Sequence, residues 1–294
     1  MRLVTFTSRN DPLAGAVVGM LVSGGTAVLD LTRTGAQMPR DVLTCFDLDG
    51  PWLSRAFALA AAEPPAGAIV AIDTVRLRAP VPRPGKLVCV GLNYRDHAAE
   101  SKMPVPERPI LFSKFTTSVI GPGDAIVLPA SSGKVDYEAE LAIVIGRRVK
   151  GASREEAARA ILGYTIVNDV SARDFQFGDG QWQRGKSCDT FAPMGPWIVT
   201  ADEVADPQKL GIRLRVNGQT LQSSNTNQMV FGAVDLVTFI AETITLEPGD
   251  VIATGTPPGV GFARQPPIFL KAGDVVEVEI DGLGVLKNPV MANG

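Results

Sequence analysis

Short apolar runs separated by turn residues dominate the chain, and they predict a fold built mainly from short β-strands. Glycine followed by aspartate precedes several of these runs, as is typical of turns that lead into strands. The pair Asp281-Gly282 follows the last run and predicts a hairpin turn. The predicted strands are Leu3–Phe6, Ala16–Val22, Thr26–Asp30, Leu87–Val90, Ile110–Phe112, Ala125–Leu128, Leu141–Ile145, Tyr164–Val167, Ile198–Thr200, Ile212–Val216, Val251–Ala253 and Val275–Ile280.

Three segments have the pattern expected of helices. The first starts after a proline and stops before a Pro-Pro pair, and the third has an apolar stripe at helical spacing. The second opens with a Ser-x-x-Glu capping box and is predicted to close at Gly163. The predicted helices are Trp52–Glu63, the segment from Ser153 to Gly163, and Val234–Thr243. Few helices among many strands predict an α+β fold.

Alternate prolines in the segment 79–85 predict a domain boundary, because proline blocks both helices and central strands. Residues 1–80 are then a small N-terminal α+β domain. Residues 85–292 form a larger, β-rich domain, which carries most of the polar motifs described below.

The charge balance argues against a nucleic-acid-binding protein. The 294 residues include 28 Lys plus Arg and 31 Asp plus Glu, a net charge of −3, without a dense basic run. No stretch approaches the roughly 20 apolar residues of a membrane span, and the N-terminus lacks the apolar core of a signal peptide. Three widely spaced cysteines indicate a reducing compartment. We therefore expect a cytoplasmic protein without a membrane or nucleic-acid partner.

The single histidine, His97, restricts the possible chemistry. Zinc sites rich in histidine and sites built on a histidine pair are excluded. Carboxylates must therefore provide most ligands of any metal site, and oxygen ligands favour Mg²⁺, Mn²⁺ or Ca²⁺.

Alternating carboxylates give the strongest chemical signal. Asp136, Glu138 and Glu140 lead into the apolar run Leu141–Ile145, and a continuous strand would place all three on one face. Their mutual repulsion in a buried strand would be relieved by a divalent cation. An edge strand with a solvated acidic face is the alternative. Asp169 favours the cation site because it follows another apolar strand, although it could instead cap a turn or a helix.

His97 lies just past a predicted strand, where loops with functional residues often gather. On a helical turn, Glu100 would lie beside it and could orient the imidazole as a general base. A role in packing or on the surface is the alternative.

The segment Gly180–Ser187 matches the phosphate-binding pattern GxxxxGK[ST]. A phosphate-binding loop follows a buried strand and opens a helix, and neither neighbouring segment has that pattern. Nucleotide binding is therefore disfavoured.

Five motifs together resemble the fumarylacetoacetate hydrolase family, over residues 85 to about 290. They are Asn93-Tyr94-x-x-His97-x-x-Glu100, Asp136-x-Glu138-x-Glu140, the segment from Asn168 to Asp174, Gly185-Lys186-Ser187, and the segment from Thr254 to Gly261. The resemblance implies a rolled mixed β-sheet and a homodimer. This sequence differs from the eponymous hydrolase near Asn93-Tyr94, where that enzyme has a fourth carboxylate that binds the metal.

The resemblance also implies roles for individual residues. Glu138, Glu140 and Asp169 would hold Mg²⁺ or Mn²⁺. His97 and Glu100 would be the catalytic pair, on a segment that orders into a short lid helix when ligand binds. Lys186 would act with this pair in catalysis. The residues that match substrate-contacting positions are Arg173, Gln176, Lys186 and Thr256.

The leading functional hypothesis is a Mg²⁺- or Mn²⁺-dependent hydrolase of the C–C bond in 2,4-dioxo acids of the acylpyruvate type, as used in aromatic catabolism. The alternatives on the same site are an oxaloacetate-type 2-oxo acid decarboxylase and a hydroxymuconate-type isomerase, because all three reactions share an enolate. A protein of another class that binds a metal and an oxo acid without turnover is disfavoured by the His97 and Glu100 pair.

Overall fold

The computed structural model describes residues 1–9, 15–35, 39, 42–62, 64–65 and 67–293. The helices in these residues are α1 Pro51–Ala61, α2 Arg95–Glu100, α3 Arg154–Arg159, α4 Arg173–Gly178, α5 Gln183–Lys186 and α6 Ala233–Thr243. The strands are β1 Arg2–Ser8, β2 Val17–Val22, β3 Ala27–Asp30, β4 Ile69–Ala71, β5 Val75–Leu77, β6 Leu87–Gly91, β7 Ile110–Ser113, β8 Val119–Ile120, β9 Ile126–Leu128, β10 Val135–Asp136, β11 Ala139–Ile145, β12 Ile161–Asn168, β13 Ser171–Ala172, β14 Ala192–Thr200, β15 Gly211–Val216, β16 Gln219–Asn225, β17 Val251–Ala253, β18 Val275–Ile280 and β19 Gly284–Ala292. The predicted α+β class is confirmed.

Two mixed sheets pack around the main core. The larger has 12 strands, with the central order β4-β3-β2-β1-β14-β12-β11-β17-β6-β7 and with β5 and β8 at its sides. The smaller has five strands in the order β16-β15-β18-β19-β9, and β10 pairs with β13 separately. Buried side chains of β11, β12, β15 and β18 share one hydrophobic cluster, so the core lies between the two sheets.

Strand β11 is buried on both faces, which explains its continuous apolar run. Leu141, Ile143 and Ile145 face the core between the sheets, whereas Ala142 and Val144 face a second hydrophobic cluster. Complete burial of each large aliphatic side chain contributes about 1.5–3 kcal/mol. The strand is therefore a firm support for the residues at its N-terminal end.

The sheet register brings the ends of several strands together. Ala139 pairs with Asn168 across β11 and β12, and Ala142 pairs with Ala253 across β11 and β17. Ala253 in turn pairs with Cys89 of the parallel strand β6. Consequently the start of β11 and the segments after β6, β12 and β17 meet at one edge of the sheet.

The N-terminal segment belongs to the same large sheet as the rest of the chain. Arg2 and Leu3 of β1 pair with Val199 and Ile198 of β14. The division into residues 1–80 and 85–292 stays a prediction, but hydrogen-bonded strands run across it.

The predicted strands all occur, although several ends differ. Ile198–Thr200 is only the end of β14, which begins at Ala192 and contains Pro193 and Pro196, although proline is uncommon in central strands. The strand register shifts between Tyr164 and Ile166 of its neighbour β12, beside the second proline. The predicted hairpin turn at Asp281-Gly282 joins β18 to β19 as expected. The sequence patterns missed the strands β4, β5, β8, β13, β16 and β19.

The prediction that Gly163 closes the second helix is wrong. The capping box of Ser153 and Glu156 is present, but α3 ends at Arg159 and Gly163 lies inside β12. A Cβ atom at Gly163 would lie 2.2 Å from the carbonyl oxygen of Val199, so glycine allows close approach of two strands there.

The other two predicted helices form. Helix α1 covers most of Trp52–Glu63, but Glu63 lies outside the described residues, and α6 matches Val234–Thr243 closely. Among the described residues, no helix has the length and apolar character needed to cross a membrane.

Candidate active site

Three carboxylates from two neighbouring strands meet at the sheet edge. Glu138 precedes β11, Glu140 is the second residue of β11, and Asp169 directly follows β12. All three side chains are buried, and one oxygen of each lies within 4.8 Å of one oxygen of the other two. The structure thus brings together the three residues predicted to hold a metal.

Two lysines form ion pairs with Glu138 and Asp169. Lys186 Nζ on α5 lies 2.7 Å from Glu138 Oε2 and 2.8 Å from Asp169 Oδ2. Lys114 Nζ, after β7, lies 2.5 Å from Asp169 Oδ1 and donates to the carbonyl oxygen of Val170 at 3.0 Å. Both ammonium groups are shielded from solvent, so these ion pairs are only weakly screened.

Asp136 does not join the three carboxylates, which corrects the prediction of one continuous acidic face. The strand is interrupted at residues 137–138, so β10 and β11 are separate. Asp136 instead accepts hydrogen bonds from the backbone N–H groups of Gly261 and Phe262 and pairs with Arg173 at 2.8 Å.

Arg173 links Asp136 to the cluster. Its Nη2 lies 2.6 Å from Glu138 Oε1, and its Nη1 donates to Gln176 Oε1 at 2.8 Å. The guanidinium carbon lies 4.4 Å from the centre of the Phe262 ring. Arg173 therefore bonds to the cluster and Gln176 bonds to Arg173, and the contact of both with substrate stays a prediction.

The carboxylates on either side of Ala139 have opposite electrostatic environments. Burial opposes ionisation of Glu138, but Lys186 and Arg173 outweigh it and lower its pKa to about 2. Burial raises the pKa of Glu140 well above its usual range, and the negative charges of Asp169 and Glu138 add to the effect. Glu140 accepts one hydrogen bond, from the backbone N–H of Gly255 at 2.9 Å.

This environment fits a divalent cation. Among the described residues, Glu140 forms no direct ion pair, and the charge of Lys186 offsets only part of its desolvation penalty, so a cation would supply the missing partner. The donors are carboxylate oxygens only, the ligand type that Mg²⁺ and Mn²⁺ prefer. Across the cluster, four carboxylates (with Asp136) face three cationic side chains, which leaves one negative charge.

His97 and Glu100 form the predicted pair on α2. His97 Nδ1 lies 3.0 Å from Glu100 Oε2, and the histidine is only 8 % exposed. Nδ1 therefore carries a proton when it donates to the carboxylate, which leaves Nε2 as the basic nitrogen. Among the described residues, Nε2 has no hydrogen-bond partner.

A single loop, residues 254–261, connects the carboxylate cluster to the His97 and Glu100 pair. Its backbone N–H groups donate to Glu140 from Gly255, to Glu100 from Gly259, and to Asp136 from Gly261. Thr256, predicted to contact substrate, lies on this loop and accepts a hydrogen bond from Gln222. The distances between the two parts of the site thus depend on one backbone segment.

Asn93 and Tyr94, at the position where the eponymous hydrolase has its fourth carboxylate, are both buried. Asn93 Nδ2 donates to the carbonyl oxygens of Phe231 and Thr254, and its Oδ1 accepts from the N–H of Phe231. Tyr94 is fully buried, and its hydroxyl has no hydrogen-bond partner among the described residues. Burial raises the pKa of Tyr94, and the nearby negative charges of Glu140 and Asp96 add to this.

The segment Gly180–Ser187 does not form a phosphate-binding loop. It follows helix α4 rather than a strand, and its helix α5 ends at Lys186, the lysine that contacts Glu138 and Asp169. The lysine of this motif therefore pairs with buried carboxylates rather than with a phosphate group.

Sequence reasoning missed Lys114 and the structural role of Asn93. Lys114 follows a short strand and carries no local signal of an inward direction, since its partner Asp169 lies 55 residues further on. In the sequence, Asn93 is distinguished only by its position, where the eponymous hydrolase has a carboxylate that binds the metal. Its three backbone partners come from distant segments, so only the assembled sheet edge reveals them.

Comparison with known proteins gives consistent matches. The model of the fumarylacetoacetate (FAA) hydrolase C-terminal domain matches residues 86–291. The mitochondrial oxaloacetate tautomerase FAHD2A of Bos taurus is 47% identical over 293 residues, which cover 99% of this chain and 92% of the relative. Fumarylacetoacetate hydrolase from Exiguobacterium antarcticum has a TM-score of 0.85 and 37% identity, with complete coverage of both chains. For 5-carboxymethyl-2-hydroxymuconate delta-isomerase from Mycobacterium smegmatis the values are 0.78 and 38%, again over both complete chains.

These matches correct one expectation and support others. The expected cytoplasmic location is wrong, because relatives from Bos taurus, Xenopus laevis and Homo sapiens at 45–47% identity over the chain are named as mitochondrial. The rolled mixed-sheet fold is confirmed by structures that superpose over the whole chain. Named relatives are enzymes acting on small molecules, and the buried acidic triad can hold a metal. The chain therefore belongs to the fumarylacetoacetate hydrolase family.

Proposed function

We propose that this chain is a divalent-cation-dependent isomerase of small 2-oxo dicarboxylic acids, with keto–enol tautomerisation of oxaloacetate as its reaction. Relatives that span nearly the whole chain are named oxaloacetate tautomerases, and similar structures are named hydroxymuconate isomerases. These names favour the isomerase alternative over hydrolysis of acylpyruvates. The chemistry of proton transfer next to a keto group is common to both kinds of relative.

The observation that carries the proposal is the nearly buried His97 with a free Nε2. In tautomerisation of the keto acid, Nε2 takes a proton from the carbon next to the keto group, and the C–H electron pair forms the enol double bond. The proton is then delivered to the keto oxygen, so one C–H bond breaks, one O–H bond forms and no water is consumed. Glu100 holds Nδ1–H and stabilises the imidazolium between the two steps.

Fixed charge favours the enolate form of the substrate. Glu138, Glu140 and Asp169 would hold a divalent cation, which would supply positive charge that acidifies the carbon next to the keto group. Lys186 is buried, and Asp169 and Glu138 outweigh burial to raise its pKa, so it stays an ammonium group at this site. With one cation added, the cluster changes from one net negative to one net positive charge, which suits an anionic substrate.

Hydrolysis would require a water molecule beside His97. His97 as a residue is only 8 % exposed, which limits its contact with bulk water. Water exclusion supports proton transfer within the substrate rather than attack by water. Hydrolysis is therefore a secondary reaction in this proposal, and decarboxylation, which needs no water, ranks below tautomerisation because of the names of the relatives.

The test is a parallel assay of three reactions with Mg²⁺ and with Mn²⁺. Enol absorbance measures oxaloacetate tautomerisation, pyruvate release measures decarboxylation, and acid release from an acylpyruvate measures hydrolysis. We expect tautomerisation to be fastest, to be lost with EDTA and in Glu140→Gln, and to be kept in Glu277→Gln, a solvent-side carboxylate of β18 paired with Lys287. Faster acylpyruvate hydrolysis than tautomerisation would overturn the proposal.

The homodimer implied by the family resemblance belongs to this proposal too. Light scattering after gel filtration measures the mass directly, and we expect twice the chain mass of 31.1 kDa.

A further inference from the structure

The backbone of Gly259 lies between the catalytic pair and a cationic side chain. Its N–H donates to both oxygens of Glu100, at 2.9 and 3.2 Å. Its carbonyl oxygen accepts from Arg264 Nε at 3.1 Å and from the Tyr137 hydroxyl at 3.4 Å. Gly259 thus accepts a hydrogen bond from Arg264 through its carbonyl oxygen and donates hydrogen bonds to Glu100 through its N–H group.

The conformation of Gly259 is available only to glycine. Its φ angle is +100°, and a Cβ atom would lie 2.2 Å from the carbonyl oxygen of Leu221. A residue with this freedom needs external contacts to stay in one conformation, because glycine loses more conformational entropy than other residues on ordering. Arg264 provides these contacts, since its Nη2 also donates to the carbonyl oxygen of Leu221.

Arg264 differs from the other arginines and lysines around the site. Lys114, Arg173 and Lys186 each pair with carboxylates, whereas Arg264 has no carboxylate partner within the described residues and uses its donors on two backbone carbonyls. This half-buried guanidinium also interacts with the side chain of Tyr137, and its fork joins two backbone carbonyls as a rigid bidentate clamp.

We propose that Arg264 is a positioning residue for the His97 and Glu100 pair. By fixing the carbonyl of Gly259 against Leu221, it fixes the direction of the Gly259 N–H that holds Glu100, and Glu100 in turn selects the Nδ1–H tautomer of His97. The inference deepens the proposed function, on which its catalytic consequence rests. The charged and titratable groups around the pair are Asp96 on α2, Tyr137 before β11, and Arg264 itself.

The single histidine provides a direct test that needs no substrate. In ¹⁵N-labelled protein made without a histidine tag and kept in Mg²⁺, all imidazole nitrogen signals belong to His97. We expect the Nδ1–H tautomer in the wild type and a mixture with the Nε2–H tautomer in Arg264→Met. Arg264→Lys, which keeps the positive charge but loses the fork that bonds two carbonyls, should also give a mixture. Arg213→Met, which removes a surface arginine paired with Asp281, should leave it unchanged.

Kinetics test the catalytic consequence. A misplaced general base lowers the rate of the chemical step, so Arg264→Met should lower kcat for oxaloacetate by about 10-fold to 10²-fold, with KM within about two-fold of the wild type. A raised KM with unchanged kcat would mean that Arg264 binds substrate directly, and it would overturn the proposal. If circular dichroism finds Arg264→Met unfolded, Arg264→Gln takes its place with the same expectations.

The two measurements fail separately. A wild-type tautomer in a folded, neutral Arg264 variant overturns the positioning role, whatever the substrate. A changed tautomer in a protein inactive on oxaloacetate supports the positioning role and contradicts the proposed substrate.

Discussion

The two parts of the candidate site are built in contrasting ways. The carboxylate cluster, made of Glu138, Glu140 and Asp169 with their cationic partners, lies at the ends of central strands and is nearly inaccessible. The pair of His97 and Glu100 lies on α2, a helix of six residues, and the Glu100 side chain is 28 % exposed.

The difference assigns separate tasks to the two parts. Buried ion pairs on sheet strands hold charge in fixed positions, which is what stabilisation of an anionic intermediate requires. Helix α2 is held by side-chain hydrogen bonds of Arg95, Asp96 and Glu100 rather than by a strand ladder, so we expect it to open at a lower free-energy cost than a central strand. The predictions below ask whether proton transfer and charge stabilisation can be separated by mutation.

Loss of the base should have the largest effect. His97→Gln removes the proton acceptor on α2 and leaves the carboxylate cluster intact, so kcat should fall by about 10² to 10⁴, the range for a lost general base. Mn²⁺ affinity, measured by isothermal titration, should stay unchanged. A parallel fall in Mn²⁺ affinity would mean that the two parts are not separate.

Loss of a cluster carboxylate should have the converse effect on binding. Glu140→Gln removes a charged ligand and should weaken Mn²⁺ binding by more than about 10²-fold, beyond the usual effect of groups that only orient ligands. The wild-type tautomer of His97 should persist in the ¹⁵N spectrum. If Glu140→Gln binds Mn²⁺ as tightly as the wild type, the assigned metal site is wrong.

Thermal unfolding in EDTA should distinguish the two glutamates within the cluster. Glu138→Gln breaks buried pairs with Lys186 and Arg173, which costs about 3 kcal/mol and should lower the Tm by about 6 °C or more. Glu140→Gln removes a buried carboxyl group whose pKa is raised by burial and which forms no direct ion pair among the described residues, so it should raise the Tm by about 2–4 °C. Glu277→Gln, a half-buried carboxylate outside the cluster, serves as the control. Equal changes in both variants would contradict the opposite environments of Glu138 and Glu140.

The smallest predicted effect is a pH dependence of stability in EDTA. The raised pKa of Glu140 means that, between its usual value of 4.5 and the raised value, the folded state binds more protons than the unfolded state. Stability from this group therefore increases as pH falls through that window. Urea titrations across it should give a steeper rise in unfolding free energy for the wild type than for Glu140→Gln. Identical slopes would contradict the assignment.

Local patterns predicted the parts of the fold that depend on neighbouring residues. The apolar run of β11 is visible in the sequence because both of its faces are buried. The strand pattern grouped Asp136, Glu138 and Glu140 and brought in Asp169, and the family resemblance implied the set of Glu138, Glu140 and Asp169 as ligands. The short strand β13, at Ser171–Ala172, has no comparable pattern, since it is defined only by its pairing with β10.

Contacts between distant segments could not be read in the same way. Asp136 leaves the acidic face because of the interruption before β11, and its partners Gly261 and Phe262 lie far along the chain. Arg264 is one of several arginines in the sequence, and only the assembled loop places it against Gly259. Such residues depend on the three-dimensional path of the backbone rather than on periodicity.

The pairing of β1 with β14 has a practical consequence for work with the catalytic part alone. A fragment beginning at residue 85 would lose β1, and the backbone of Ile198 and Val199 would become an open sheet edge. Open edges with apolar side chains recruit strands from other molecules. Strand β1 thus covers this edge, and we expect a fragment truncated at the apparent domain boundary to aggregate more readily than the whole chain.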